Sequence, residues 1–225
     1  NNLFESVKNP WGGPDLTLAD LLQGLLMTGD PEAAEAVRQT LQLSEKDFSR
    51  QLNHTANALG MFATKFTFPC NENTPCISTA QDMALLAESL YTHHAISRIW
   101  GASHSLTLPD GKILHTENFF LEKSPAITGV YVSPKREHIA SSAAVLSENP
   151  KGSDGRLRRL LAVSLNNNDR DSLRQEISSL LLRGYRDYET LKLYSEGDFV
   201  ANVPIYKGEE TDVRAVVPQT VFITM

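Results

Sequence analysis

The sequence predicts a mixed α/β (α+β) protein, with a cluster of helices first and an antiparallel sheet after it. Two observations predict this class. Between Thr17 and Tyr91, apolar residues recur mostly at helical spacing, whereas from about residue 103 they alternate with a period of two. One long helical pattern, 169–188, follows the predicted strands.

Length and composition limit the class of protein further. The chain has 225 residues, of which 41% are apolar and 21% charged, so it can bury a real core and is not disordered. Its net charge of −6 disfavours nucleic acid or an anionic membrane as a partner. No apolar run is long enough to span a bilayer, and the first residues do not form a signal peptide.

Capping residues define the predicted helices. Thr17 with Asp20 at its third position forms a capping box, Pro31 suits a first turn, and Gly60 suits a C-terminal cap. The interruption at residues 28–31 separates the first two helices. The helical patterns cover residues 17–27, 32–41, 44–59, 78–91 and 169–188.

The strand predictions depend on alternation and turn chemistry. Pro109, Asp110 and Gly111 form a turn between two alternating segments, which predicts a hairpin. The predicted strands of this hairpin are 103–108 and 112–116, and the later ones are 128–131, 138–146, 158–165, 199–206 and 213–225. The last two resemble the beginning of a second, all-β module.

The two cysteines, Cys70 and Cys76, close a polar loop that contains a proline and no histidine. A cysteine metal site needs more ligands than this loop offers, so we predict no metal. The spacing favours a local disulfide, and hence an oxidising compartment, which predicts a periplasmic or secreted protein. Two unrelated thiols in a cytosolic loop are the alternative. No cofactor is predicted. Trp11 could either cover a groove or fill an edge of the core.

Several segments together carry a family resemblance. They are residues 18–25, 53–61, 78–87, 127–129, 140–143, 182–190 and 199–225. In this order the chain resembles the low-molecular-mass penicillin-binding proteins, the serine D-alanyl-D-alanine carboxypeptidases of bacterial cell walls. The resemblance implies a penicillin-binding-protein/β-lactamase-like transpeptidase domain over residues 1–194. It also implies that a C-terminal β-domain begins within 195–225.

The resemblance also implies where the catalytic groups belong. The family acylates the serine of a Ser-x-x-Lys motif. No serine in this sequence has a lysine three residues after it, and the place of the second family motif is already at residue 28. We therefore expect the nucleophile segment either to lie upstream of Asn1 or to have been lost from the lineage.

The other two family motifs are degenerate. Thr28, Gly29 and Asp30 stand where the family has Ser-x-Asn, so that a carboxylate replaces an amide. Ile127, Thr128 and Gly129 stand where the family has the substrate-binding Lys-Thr-Gly. Losing an ammonium and gaining a carboxylate both disfavour a substrate that ends in a carboxylate. We predict an inactive protein that binds a peptidoglycan stem peptide or a protein partner.

Two other functions stay open at this point. One is an active carboxypeptidase whose nucleophile lies on an upstream segment, and the other is a purely structural or interaction module. If the chain folds alone, we expect a sheet that is smaller than the family's, rearranged, or completed by another segment or protomer, because an exposed strand edge favours pairing.

Overall fold

The computed structural model describes residues 3–71, 73–93, 105–115, 120, 127–132, 141–149, 158–208 and 211–224. Its helices follow the predicted helical patterns. They are α1 (Leu18–Thr28), α2 (Pro31–Thr40), α3 (Glu45–Ala58), α4 (Ala80–Thr92) and α5 (Arg170–Asp187). No helix among these described residues is both long and apolar enough to cross a membrane.

Side-chain caps fix where these helices begin and end. Thr17 and Asp20 form the predicted capping box at α1, and Pro31 occupies the first turn of α2. Ser44 caps α3 and Asp169 caps α5. The C-cap of α1 is Gly29. Its φ of 60° lies in the left-handed region, which favours glycine.

The central sheet has three antiparallel strands in the described part of the chain. In spatial order they are β5 (Ile127–Val132), β6 (Ser141–Asn149) and β7 (Arg158–Asn167). The prediction of strands here is confirmed, although residues 138–140 lie outside the described residues. Helix α5 covers one face of the sheet through Leu173 and Ile177, and α4 packs against the other face.

A second cluster of buried residues lies near the N-terminus. It joins two short strands, β1 (Ser6–Val7) and β2 (Leu16–Thr17), to α1, α2 and a hairpin. The hairpin strands are β3 (Ser105–Thr107) and β4 (Ile113–His115), as the turn sequence predicts. Residues 103, 104 and 116 of the predicted hairpin lie outside the described part. Strands β1 and β2 have only two residues each, too few for an alternating pattern.

The C-terminal residues form two separate antiparallel pairs. Strand β8 (Thr190–Tyr194) pairs with β11 (Val221–Thr224), and β9 (Phe199–Pro204) pairs with β10 (Asp212–Val216). The predicted single strand over 213–225 is therefore wrong, because residues 217–220, which include Pro218, separate β10 from β11. The domain boundary between residues 194 and 195 stays a prediction. Strand β8 lies before this boundary and pairs with β11, which lies after it.

Candidate active site

The second-motif position lies in the connection between α1 and α2. Thr28 is the last residue of α1, and its hydroxyl donates a hydrogen bond of 2.8 Å to the carbonyl of Gly24. The same hydroxyl oxygen accepts a bond of 3.2 Å from the amide of Asp30. Both bonds are local, so the hydroxyl group helps to close the end of the helix.

Asp30 uses both carboxylate oxygens within the fold. One oxygen accepts a bond of 2.9 Å from the amide of Glu32, which caps α2. The other accepts a bond of 2.8 Å from the indole Nε1 of Trp11. The Trp11 ring covers Gly24 so closely that a Cβ at Gly24 would lie 2.2 Å from the ring. Of the two roles left open for Trp11, the structure supports filling an edge of the core.

The third-motif position begins strand β5. Ile127 packs against the cluster between the sheet and α5, which contains Val145, Leu173 and Ile177. A β-bulge separates Ile127 from Gly129, whose backbone pairs with Leu146. The side chain of Thr128 lies outside the described part of the structure. An apolar side chain at position 127 thus contributes to the core and provides no positive charge.

The two positions that the sequence predicts as degenerate motifs lie in different parts of the packing. Trp11, the partner of Asp30, packs against the N-terminal cluster, whereas Ile127 packs against the cluster at α5. Among the described residues, no hydrogen bond or ion pair joins Thr28 or Asp30 to Ile127. The structure therefore gives each motif its own structural contacts, and we found no shared polar centre between them.

A cavity of about 700 Å³ adjoins the second-motif position. Gly29 and Pro31 form part of one wall, and the disulfide-bonded Cys70 and Cys76 form part of another. The predicted disulfide is confirmed, with the two Cα atoms 5.7 Å apart. Most of the remaining lining is apolar and includes Leu52, Ala56, Leu59, Met61, Phe66 and Phe68.

Side-chain hydrogen bonds hold the loop that forms this wall. Asn53 on α3 donates to the carbonyl of Phe66 and accepts from its amide, at 2.7 and 2.9 Å. Asp82 on α4 is only 6% exposed and accepts bonds from the Ala63 amide (3.0 Å) and the Thr64 hydroxyl (2.6 Å). Because loop residues far apart in sequence build the cavity, periodicity could not identify it.

The charged groups at this cavity are carboxylates. Glu35 and Glu45 both line it. Arg38 Nε donates a bond of 2.8 Å to Glu35, and Gln39 donates another of 2.8 Å. These bonds, first that from Arg38, lower the pKa of the Glu35 carboxyl to about 2. Glu35 is therefore ionised at neutral pH, at a cavity whose lining is mostly apolar.

The fold belongs to the transpeptidase class. It has a helical cluster, an antiparallel sheet between two helices, and a β-module after them. A D-alanyl-D-alanine carboxypeptidase family model matches residues 5–129, which is more than half of the chain. The C-terminal domain model of penicillin-binding protein 5 matches residues 188–225. The chain belongs to the D-alanyl-D-alanine carboxypeptidase family of low-molecular-mass penicillin-binding proteins.

Individual relatives are similar at low identity. The D-alanyl-D-alanine carboxypeptidase DacF of Bacillus subtilis is 23% identical over 215 residues, covering 94% of this chain and 54% of DacF. Penicillin-binding protein 5 of Haemophilus influenzae has a TM-score of 0.77 at 19% identity, covering 95% of this chain and 60% of that one. PBP3 of Streptococcus pneumoniae has a TM-score of 0.77 at 20% identity, covering 98% and 64%. The chain spans about half the length of the curated relative.

The Glu35 carboxyl should make the free energy of unfolding depend on pH. Its pKa falls from an ordinary value of 4.5 to about 2 on folding, so its contribution is present above pH 4.5 and is lost as the pH falls towards 2. Because the side chain is 36% exposed, we expect solvent screening to limit this contribution to less than about 1 kcal/mol. Urea unfolding between these two pH values measures it.

Glu35→Gln should reduce the change in the free energy of unfolding between pH 4.5 and pH 2. Glu32→Gln is the matched control, because Glu32 lies exposed on the same helix. An unchanged acid dependence in the Glu35→Gln variant would show that the bonds from Arg38 and Gln39 do not contribute to stability in solution.

Proposed function

We propose that this chain is a non-catalytic member of its family that binds a peptide segment of another protein in the cavity beside Gly29. The packing of Ile127 against the apolar cluster at α5 carries the proposal. The position that the family uses to bind a substrate carboxylate here holds an uncharged, partly buried side chain that packs against this cluster. A charge-assisted hydrogen bond, typically about 1.5–3 kcal/mol, has no donor at that position.

The charges near the cavity favour a peptide over a carboxylate-terminated substrate. Glu35 and Glu45 line the cavity, and the charge of Glu35 is balanced by its bonds from Arg38. The exposed Glu45 leaves a negative charge at the cavity, which disfavours a free C-terminal carboxylate there. The apolar lining instead suits uncharged side chains. We therefore favour a neutral or basic protein segment over a peptidoglycan stem peptide, which is the alternative ligand.

An active carboxypeptidase whose nucleophile lies on another segment is the second candidate. One observation favours it, because Thr28 keeps a hydroxyl group at the second-motif position. The bond from that hydroxyl to the Gly24 carbonyl counts against it, since the group already donates within the fold. For either candidate, the disulfide between Cys70 and Cys76 supports a periplasmic or secreted location.

Labelling with a fluorescent penicillin separates the two candidates. We expect no covalent adduct on this chain or on the product of its complete gene, because no cation at position 127 orients the antibiotic carboxylate. Gel fluorescence after denaturation measures the adduct, and an active carboxypeptidase of the family is the positive control.

An adduct on the complete product would establish the second candidate if Thr28→Val abolished it. Thr40→Val is the matched control, because the Thr40 hydroxyl makes the same 2.8 Å bond to the carbonyl four residues earlier. Loss of the adduct in the Thr28→Val variant, but not in Thr40→Val, would show that the Thr28 hydroxyl has a chemical role.

Peptide binding tests the proposed ligand class. A neutral apolar peptide with an amidated C-terminus should bind more tightly than a stem pentapeptide ending in D-Ala-D-Ala, and more tightly than the same apolar peptide as the free acid, as measured by NMR titration. Ala34→Phe, which narrows the cavity, should weaken binding of the amidated apolar peptide at least about tenfold, while Ala58→Phe on the exposed side of α3 should not. A free acid that binds ten times more tightly than the amide would contradict the proposal.

A further inference from the structure

One wall of the cavity beside Gly29 comes from the loop between α3 and α4. This loop supplies residues 66–70 and Cys76 to the lining, whereas α2 supplies Pro31 and Ala34. The disulfide lies within this wall and joins two residues six positions apart in sequence. The shape of the wall therefore depends both on what holds the loop to the helices and on the disulfide.

The first part of the loop is fixed without the disulfide. Asn53 binds both backbone polar groups of Phe66, and the Phe68 amide donates a bond of 2.8 Å to the Ser49 hydroxyl. The Phe68 ring also packs edge-on against Phe48, with the two ring centroids 5.0 Å apart. Because these partners all lie on α3, this part of the wall keeps its place whether the disulfide is closed or open.

The base of the loop is also fixed without the disulfide. Lys65 and Ile77 exchange backbone hydrogen bonds of 2.8 and 2.9 Å. Beside them, the Thr64 hydroxyl donates to the buried Asp82 and lies 2.8 Å from the Ser78 hydroxyl. The disulfide closes only a short ring beyond this base, and a short ring constrains the unfolded chain less than a long one. We therefore expect the fold to survive reduction of the disulfide.

The end of the loop, by contrast, depends on the disulfide. The Asn71 side chain accepts a bond of 3.0 Å from the amide of Thr74, and the Thr74 hydroxyl donates a bond of 2.6 Å to the Pro69 carbonyl. These bonds join loop residues to one another rather than to α3 or α4. Opening the disulfide would let Cys70 and Cys76 separate, and the part of the wall that they form would lose its fixed shape.

We propose that the disulfide between Cys70 and Cys76 is a redox switch for the cavity beside Gly29, with a dithiol as the reductant. This proposal rests on the peptide binding proposed above. The closed disulfide holds the wall in the shape that binds the peptide. After reduction, only molecules whose wall keeps that shape can bind, so a fraction below about one fifth weakens binding at least about fivefold. The switch thereby limits peptide binding to an oxidising environment.

The two sulfur atoms differ in their surroundings, which sets the course of the reduction. Cys70 is exposed, whereas Cys76 is partly buried and its Sγ accepts a bond of 3.5 Å from the Thr67 amide. A thiolate of the dithiol attacks Sγ of Cys70, and the S–S bond breaks with its electron pair on Sγ of Cys76, where the Thr67 amide stabilises the thiolate. The second thiolate of the reductant then displaces Cys70 from the mixed disulfide. The reductant becomes a disulfide, and the two protons that it loses to water are replaced by two that protonate the cysteines.

NMR titration with the amidated apolar peptide tests the switch. The oxidised chain should bind at least about five times more tightly than the chain reduced with dithiothreitol, and reoxidation should restore the binding. The Cys70→Ser/Cys76→Ser double variant should bind as weakly as the reduced chain, with or without dithiothreitol. Asn73→Ala is the matched control, because Asn73 lies exposed in the same loop and both cysteines remain, so this variant should keep the full response to dithiothreitol.

Amide hydrogen exchange of the unaltered chain gives a second result that needs no ligand. Reduction should speed exchange in residues 70–76 and leave the amides of α3 and the central sheet unchanged. Equal binding of the peptide by both forms would overturn the switch and leave the proposed function standing, whereas no binding by either form would overturn both. Faster exchange throughout α3 and the sheet would also overturn the switch, since the disulfide would then stabilise the whole fold.

Discussion

The apolar contact between α5 and the central sheet organises the second half of the molecule. Val145, Leu173 and Ile177 are completely buried in it, and strands from all three positions of the sheet contribute. Because Ile127 joins this contact, the same packing that stabilises the sheet also sets the chemistry of the third-motif position. An ammonium group placed there would lie beside this apolar contact, where partial desolvation disfavours its charge.

At the predicted second-motif position, the side chains also make structural contacts, but these are hydrogen bonds. A carboxylate at Asp30 holds Trp11 and caps α2, and each such bond contributes about 1 kcal/mol to a typical fold. Thr28 keeps a hydroxyl but uses it to close α1. Thr28 and Asp30, which the sequence places at the second family motif, thus hold elements of secondary structure together.

Local signals predicted much of this fold. The capping box at Thr17, the caps at Ser44 and Asp169, and the turn at Pro109–Gly111 each depend on residues close in sequence, and the structure confirms them. The separation of β10 from β11 and the two-residue strands near the N-terminus did not follow from periodicity. The cavity wall could not be predicted either, because it depends on contacts such as Asp82 with Thr64, 18 residues apart.

The most direct test of the central claim is the stability of the Ile127→Lys variant in urea. If Ile127 is part of the core, the lysine should lower the free energy of unfolding by about 2–4 kcal/mol, and Ile127→Met by less than about 1.5 kcal/mol. Ile113→Lys on β4, where the isoleucine is 51% exposed, should cost much less. An Ile127→Lys variant as stable as the original chain would show that this position faces an open site, contradicting a structural role.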